Sequence, residues 1–217
     1  MSIITIERKV LEKNDEIARQ NRQILKEHGV FSINLVSSPG SGKTSLLEQT
    51  LGILRSRLRI GVIEGDVQTD FDAQRVAHYQ VPVVQIVTNG GCHLEAHLVQ
   101  NAIRQLQLPE LDLLVIENVG NLVCPANYDL GENLKVVVLS TTEGDDKPLK
   151  YPGMFRQASV LVINKIDLLP YLNCEVTTLR QNALNINPSL KVFETSCTTG
   201  AGISEWCQWL KEQSQSQ

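Results

Sequence analysis

Four short constellations in this chain carry residue types and spacings that can do chemistry. The first is Ser37-Ser38-Pro39-Gly40-Ser41-Gly42-Lys43-Thr44-Ser45. Its glycines let the backbone curl until successive N–H groups converge on one anion, and a helix starting at the end of the loop adds partial positive charge. Lys43 is placed to reach the β- and γ-phosphates of a nucleotide and Thr44 to set its hydroxyl on a magnesium ion, with Gly40, Ser41, Gly42 and Ser45 completing the cradle. Position 37, a glycine in the general pattern, is serine here.

The second constellation is a pair of acids, Asp66 in Glu64-Gly65-Asp66 and Glu117 in Glu117-Asn118-Val119-Gly120. Carboxylates there can hold a magnesium ion or its water or orient an attacking water, and Gly120 can offer its N–H to a γ-phosphate. Each acid alone could equally cap a helix; their joint placement favours the metal and water duties. The third is Asn164-Lys165-Ile166-Asp167. A carboxylate at 167 can accept from both N1–H and the exocyclic amine of guanine, whereas adenine shows the wrong pattern and would leave the site unpaired. Lys165 can lay its stem on the base, and Ser196-Cys197-Thr198 stands where a further guanine-contacting loop belongs. The fourth is Cys92-His93 with Cys124, a thiolate and imidazole set suited to nickel or zinc. A helix N-terminus close to Cys92 is expected to favour its thiolate. Three groups are too few for a closed tetrahedral site; two copies meeting at an interface would supply enough.

These residues need strand ends to hold them. Near-continuous Val/Ile/Leu runs predict strands at Phe31–Val36, Arg59–Ile63, Val83–Val87, Leu111–Ile116, Leu134–Leu139, Val160–Ile163 and Val192–Thr195. Helices are expected between them at Ser45–Arg57, Asp70–Tyr79, Leu94–Gln107, Val176–Leu184 and Ile203–Lys211, with only a short helix in the proline-bearing stretch Lys147–Gln157. Doubly apolar strands separated by helices imply an α/β fold, a mostly parallel sheet with helices on both faces, whose ligands collect at the carboxyl ends of the strands. Before it, Ile3, Val10, Ile17 and Ile24, with Ile4, Leu11, Ala18 and Leu25, recur every seven residues and predict an amphipathic helix that ends at Gly29. Packing on its own domain is favoured over dimerisation for that helix. The domain reading is therefore 1–29 helix, 30–211 phosphate-loop domain and 212–217 flexible Gln/Ser tail.

At 217 residues, 42% hydrophobic and net charge −4, the chain suits one globular domain and has no basic run for nucleic acid. Charged residues throughout the first 28 positions argue against a signal peptide, and no apolar stretch reaches membrane-spanning length, so a cytoplasmic protein without nucleic-acid or membrane partners is expected. Five cysteines without a Cys-x-x-Cys pair speak against a disulfide framework or zinc ribbon.

Phosphate loop, acid-x-x-Gly and Asn-Lys-x-Asp in this order resemble the GTPase superclass, and Glu117 in place of the usual aspartate narrows the likeness to the subgroup with metallochaperones. Gly91-Cys92-His93-Leu94-Glu95-Ala96, Glu117 to Pro125 and Thr142 to Pro152 together resemble the HypB family of hydrogenase nickel-incorporation GTPases over nearly the whole chain. Ser37 fits that family. The resemblance implies a single P-loop GTPase domain with GTP/GDP and Mg²⁺, and a metal site for Ni²⁺ or Zn²⁺ at Cys92, His93 and Cys124. It also implies a GTP-dependent homodimer, and partners among the hydrogenase maturation proteins and the hydrogenase large subunit. On it Lys43, Asp66 and Glu117 are the catalytic residues, Thr44, Asp66 and Glu117 the magnesium set. Residues 1–29 hold no cysteine and only His28, unlike the Cys- or His-rich segment many members carry, so storage of nickel there is not expected. A urease-type or other nickel, zinc or cobalt metallochaperone GTPase is the alternative, although the urease-type family has Cys-Pro-His where this chain has Cys92-His93. A small-molecule kinase would leave Asn164 to Asp167 without a purpose, and a non-catalytic scaffold would not turn over.

Overall fold

The computed structural model describes residues 6–68 and 71–216, so Ile3, Ile4 and the expected helix start at Asp70 lie outside the described residues. Its centre is β1 (Phe31–Ser37), seven residues buried without exception, because the segment is covered on both faces and carries no exposed side. Six parallel partners flank it: β2 (Ile60–Asp66), β3 (Val83–Val87), β4 (Leu113–Glu117), β5 (Leu134–Ser140), β6 (Val160–Asn164) and β7 (Lys191–Glu194). Their order is β3-β2-β4-β1-β5-β6-β7. All pairs are parallel, and the order reverses at β1, the crevice where open α/β sheets bind ligands. The register does the positioning: Glu117 lies level with Leu35 of β1 and Glu64 of β2, while Asn164 ends β6 level with Ser140.

On one face α2 (Lys43–Leu54), α3 (Phe71–Ala77) and α8 (Ile203–Gln215) cover a core of Leu46, Leu51, Val76 and Trp206. The Trp206 indole N–H finds Thr50 Oγ1 at 2.9 Å, which satisfies the polar end of a large buried ring. The opposite face carries α1 (Ile6–Glu27), α4 (Ala96–Ile103), α6 (Pro152–Gln157) and α7 (Val176–Ile186), with α5 (Lys147–Lys150) beside α7.

Several elements depart from the sequence reading. Helix α1 does lie on its own domain, against α4, with Ala18 and Leu25 buried; Val10 of the expected stripe is 41% exposed, and Asn14 and Asn21 take buried places instead. Strand β2 runs through to Asp66, so Glu64 is interior and only Asp66 stands at the strand end. Helix α4 is eight residues long rather than the expected 94–107: Glu95 is extended, Asn118 captures the Leu94 N–H, and Pro109 opens a 3₁₀ turn beyond. The stretch 147–157 divides into α5 and α6, each opened by a proline in its first turn, where the missing N–H costs nothing. The Gln/Ser tail, expected to be flexible from 212, is helical as far as Gln215, held by Gln208–Glu212 and Ser214–Lys211 hydrogen bonds.

Candidate nucleotide and metal sites

The loop between β1 and α2 is tied to β6. Gly42 adopts φ +95°, and a Cβ there would lie 2.5 Å from Asn164 Nδ2, so only glycine allows this approach. Asn164 donates to the Ser41 carbonyl at 3.0 Å and Lys165 Nζ to the Gly40 carbonyl at 2.7 Å. Ser37 is buried and, with Ser41, donates its hydroxyl to the Ser38 carbonyl, at 2.7 and 2.6 Å. The serine in place of glycine therefore helps to fold the loop.

Glu117, at the end of β4, is 3% exposed. Its Oε1 accepts from Thr44 Oγ1 at 2.8 Å and lies 3.7 Å from Lys43 Nζ. Gly120 follows where a Cβ would stand 3.1 Å from Pro39 Cα, so the β4 loop and the phosphate loop touch. Between them opens a cavity of about 500 Å³ lined by Gly42, Lys43, Thr44, Ser45, Asp66 and Gly120 among others. Magnesium fits these residues by donor chemistry: the Thr44 hydroxyl donates its proton to Glu117 and keeps its lone pairs, and with two carboxylates makes the hard all-oxygen set that ion requires.

At the far side of the loop, Asp167 sits in the 3₁₀ turn Ile166–Tyr171, with Oδ1 buried and without a hydrogen-bond partner among the described residues. A buried carboxylate oxygen beside a nucleotide loop is an acceptor in want of donors, the complement of a guanine edge. Ser196 is buried two residues beyond the end of β7, and Cys197 Sγ lies 3.4 Å from Asn164 Oδ1. Burial pushes the Cys197 thiol up to about 11, so it acts as a small neutral packing group.

Cys92, His93 and Cys124 do come together, with one ligand atom of each within 4.8 Å of the others. The two sulfurs are 2.9 Å apart, and Cys92 Sγ lies 3.5 Å from His93 Nδ1. His93 packs against Tyr128 with ring centroids 4.0 Å apart and planes tilted by 45°, and its Nε2 is buried with no partner among the described residues. Burial holds the imidazole below its ordinary pKa, so it stays neutral and ready to ligate. One expectation fails. The Cys92 thiol is held above its usual value, first by the hydrogen bond it shares with Cys124 and then by burial. Helix α4 starts only at Ala96, too far along for its dipole to reach Cys92. His97 is exposed and pairs with Glu95 at 3.3 Å, outside this group.

Sequence reasoning missed the residues around these ligands. Tyr128 beside His93, Arg75 on the nucleotide cavity, and the buried Asn34, Asn118, Glu132 and Lys135 give no sequence signal beyond a polar letter in an apolar run. A larger groove, about 850 Å³, opens at the amino ends of β2 and β3 between Arg55, Tyr79 and Glu110, remote from all of this chemistry.

A parallel sheet with a phosphate loop at its switch point, an acid-x-x-Gly strand end and a buried unpartnered acceptor at Asp167 has the architecture of a P-loop GTPase, here with a thiol–imidazole group formed in part by the loop after β4. The nucleotide-binding domain described as CobW/HypB/UreG matches residues 31–194. The hydrogenase maturation factor HypB of Azotobacter vinelandii is 51% identical over 211 residues, 97% of this chain and 70% of that protein. The crystal structure of hydrogenase maturation factor HypB from Archaeoglobus fulgidus superposes with a TM-score of 0.88 at 39% identity, covering 94% of this chain and 99% of that one. HypB from Helicobacter pylori in complex with nickel gives 0.89 at 37% identity, covering 93% and 95%. The chain belongs to the HypB hydrogenase maturation factors within the CobW/HypB/UreG family.

Proposed function

We propose that this chain hydrolyses GTP slowly and with magnesium, and that its nucleotide state governs the capture and release of nickel for [NiFe]-hydrogenase. The observation that carries this reading is one short segment: Glu117, bonded to Thr44, and Cys124, touching Cys92, are separated by six residues that include the cavity-lining Gly120. The Helicobacter pylori relative was crystallised with nickel, and the donor set here suits nickel or zinc.

Guanine is selected by Asp167, with Asn164 and Lys165 bracing the loop and Ser196 and Cys197 closing the base side. Gly40, Ser41, Gly42 and Ser45 supply the phosphate cradle, and Lys43 exchanges its Glu117 contact for the β- and γ-phosphates. Thr44, Asp66 and Glu117 would hold magnesium, which when bound would neutralise the charge developing on the phosphates. Asp66 and Glu117 position the attacking water, and Gly120 reads the γ-phosphate. Two copies closing over GTP complete the three-donor metal set, and delivery passes to maturation partners and the hydrogenase large subunit. Among the described residues no helix is long and apolar enough to cross a membrane, in keeping with work in the cytoplasm.

Nickel titration of wild type and Cys124→Ala, each with GDP and with non-hydrolysable GTP, tests the proposal. Wild-type affinities should differ by at least about fivefold between nucleotides, the low end of ordinary coupling. Cys124→Ala should weaken nickel and flatten the difference while GTP binding persists. Equal wild-type affinities in both states would overturn the coupled mechanism.

A further inference from the structure

A chain of buried polar side chains joins the two sites. Asn118 lies between Glu117 and the cavity-lining Val119, and is 1% exposed. Its Oδ1 accepts from the backbone N–H of Val119 and of Leu94, each at 3.0 Å, and Leu94 directly follows the ligand His93. Its Nδ2 donates to Asn34 Oδ1 in the middle of β1 at 3.2 Å, and Asn34 donates in turn to Glu132 Oε1 at 3.1 Å. Glu132 Oε1 is 3.8 Å from Lys135 Nζ, and that ammonium donates to the carbonyls of Pro125 and Tyr128 at 3.0 and 3.1 Å. Pro125 follows Cys124, and Tyr128 packs against His93. The chain thus begins beside the acid that holds Thr44 and ends on both segments that carry metal donors.

Such groups are expensive in a core. Asn34 and Asn118 occupy places where an apolar side chain would meet packing demands without a desolvation penalty, and Glu132 with Lys135 buries an acid and an amine, the burial raising the Glu132 pKa. What they add is rigid, directional connection, since each bond constrains the next.

We infer that Asn118 is a positioning residue that transmits nucleotide state to the metal ligands, with Asn34, Glu132 and Lys135 as its second branch. Residues 117–120 cannot move toward a γ-phosphate without carrying the carboxamide that holds Leu94, and therefore His93, in place. The inference rests on the coupling proposed above and assigns its route.

The test compares nickel affinity in the GDP and non-hydrolysable GTP states for wild type, Asn118→Ala, Asn118→Ser and Asn21→Ala. Asn21 is the control: it is buried on the metal side, donating to the Ala96 and Leu130 carbonyls at 2.9 Å, and has no hydrogen bond to residues 117–120. In the Asn118 variants the ratio between states should fall from at least about fivefold to within about twofold, with nickel still bound and GTP affinity nearly unchanged. Asn21→Ala should lower both nickel affinities together and keep the ratio. The serine variant carries the test should the alanine variant not fold. A ratio retained in folded Asn118 variants, or lost equally in Asn21→Ala, overturns the assignment and leaves the coupling intact; a wild-type ratio of one removes the coupling itself.

Discussion

Replacing Asp167 with asparagine probes the base site with one atom. Asp167 Oδ1 is buried and has no hydrogen-bond partner among the described residues, and the turn that bears it is fastened to the phosphate loop through Lys165 and Asn164 at 2.7 and 3.0 Å. A base docked above Lys165 meets this carboxylate in a fixed position, so guanine N1–H and its amine can both donate to it. Hydrogen bonds to a charged group contribute about 1.5–3 kcal/mol each. Asparagine keeps one acceptor and sets a donor against the guanine amine. The bond to the amine is lost and the bond to N1–H falls from a charged to a neutral one, about 2.5–4 kcal/mol together, or about 10²- to 10³-fold weaker GTP binding. Xanthine carries an oxygen where guanine carries the amine, so Asp167→Asn should bind XTP more tightly than GTP. Displacement of a fluorescent nucleotide by GTP, XTP and ATP reads all of this, with Asp167→Ala separating exchanged specificity from simple loss. Wild type that binds ATP as well as GTP, or an asparagine variant with no gain for XTP, would refute the assignment.

Lys43→Ala should abolish GTP turnover in a phosphate-release assay, and Asp66→Ala should slow hydrolysis more than it weakens GDP binding, because its proposed duty lies at the γ-phosphate and magnesium. Gly42→Ala forces a side chain to φ +95° and against Asn164, breaking the Asn164–Ser41 bond. At about 1–2 kcal/mol for the backbone and about 1 for the bond, calorimetry should show Tm lower by about 4–12 °C. Nickel affinity should rise with pH through neutrality: burial lowers the His93 pKa, so that proton competes less, whereas the bond to Cys124 and burial raise that of the Cys92 thiol, which must release its proton to ligate. Competition with a chelator at each pH gives the slope, about tenfold per pH unit for each proton released, and a flat profile would contradict the shared thiol proton.

What was legible in the sequence is what local pattern determines. Strands β1, β3 and β5 read within a residue because apolar residues dominate each run despite Asn34, Gln85 and Lys135 inside them, and the phosphate loop read because glycine and lysine do chemistry that few alternatives can. Misreadings share another cause. Asn14 and Asn21 on α1 look like solvent-facing positions, yet they are buried because the Ala96 N–H, the Ala96 carbonyl and the Asp129 and Leu130 carbonyls wait for them across the fold. Helix α4 begins late because Asn118, distant in sequence, holds Leu94 outside it, and Cys92 keeps its proton because Cys124 shares it. In each case the partner is a polar group brought in by the sheet, and such pairings leave no periodicity to detect.

That the misread residues gather between the two sites has a physical reason. Packing alone could be met by leucine or valine, whose pattern is legible; a link that must hold Leu94, Leu130 and the Pro125 carbonyl in fixed relation to Glu117 needs directional bonds, and only polar side chains supply them. The α1 asparagines do the same from outside, clasping Ala96 to the Asp129–Leu130 turn. The metal donors are thereby braced from two sides, by α1 and by the β1–β4 amides, and only the second brace touches the segment that a γ-phosphate would move. Loosening the first should therefore soften the metal site in every nucleotide state alike, whereas loosening the second should leave a sound site that no longer knows which nucleotide is bound.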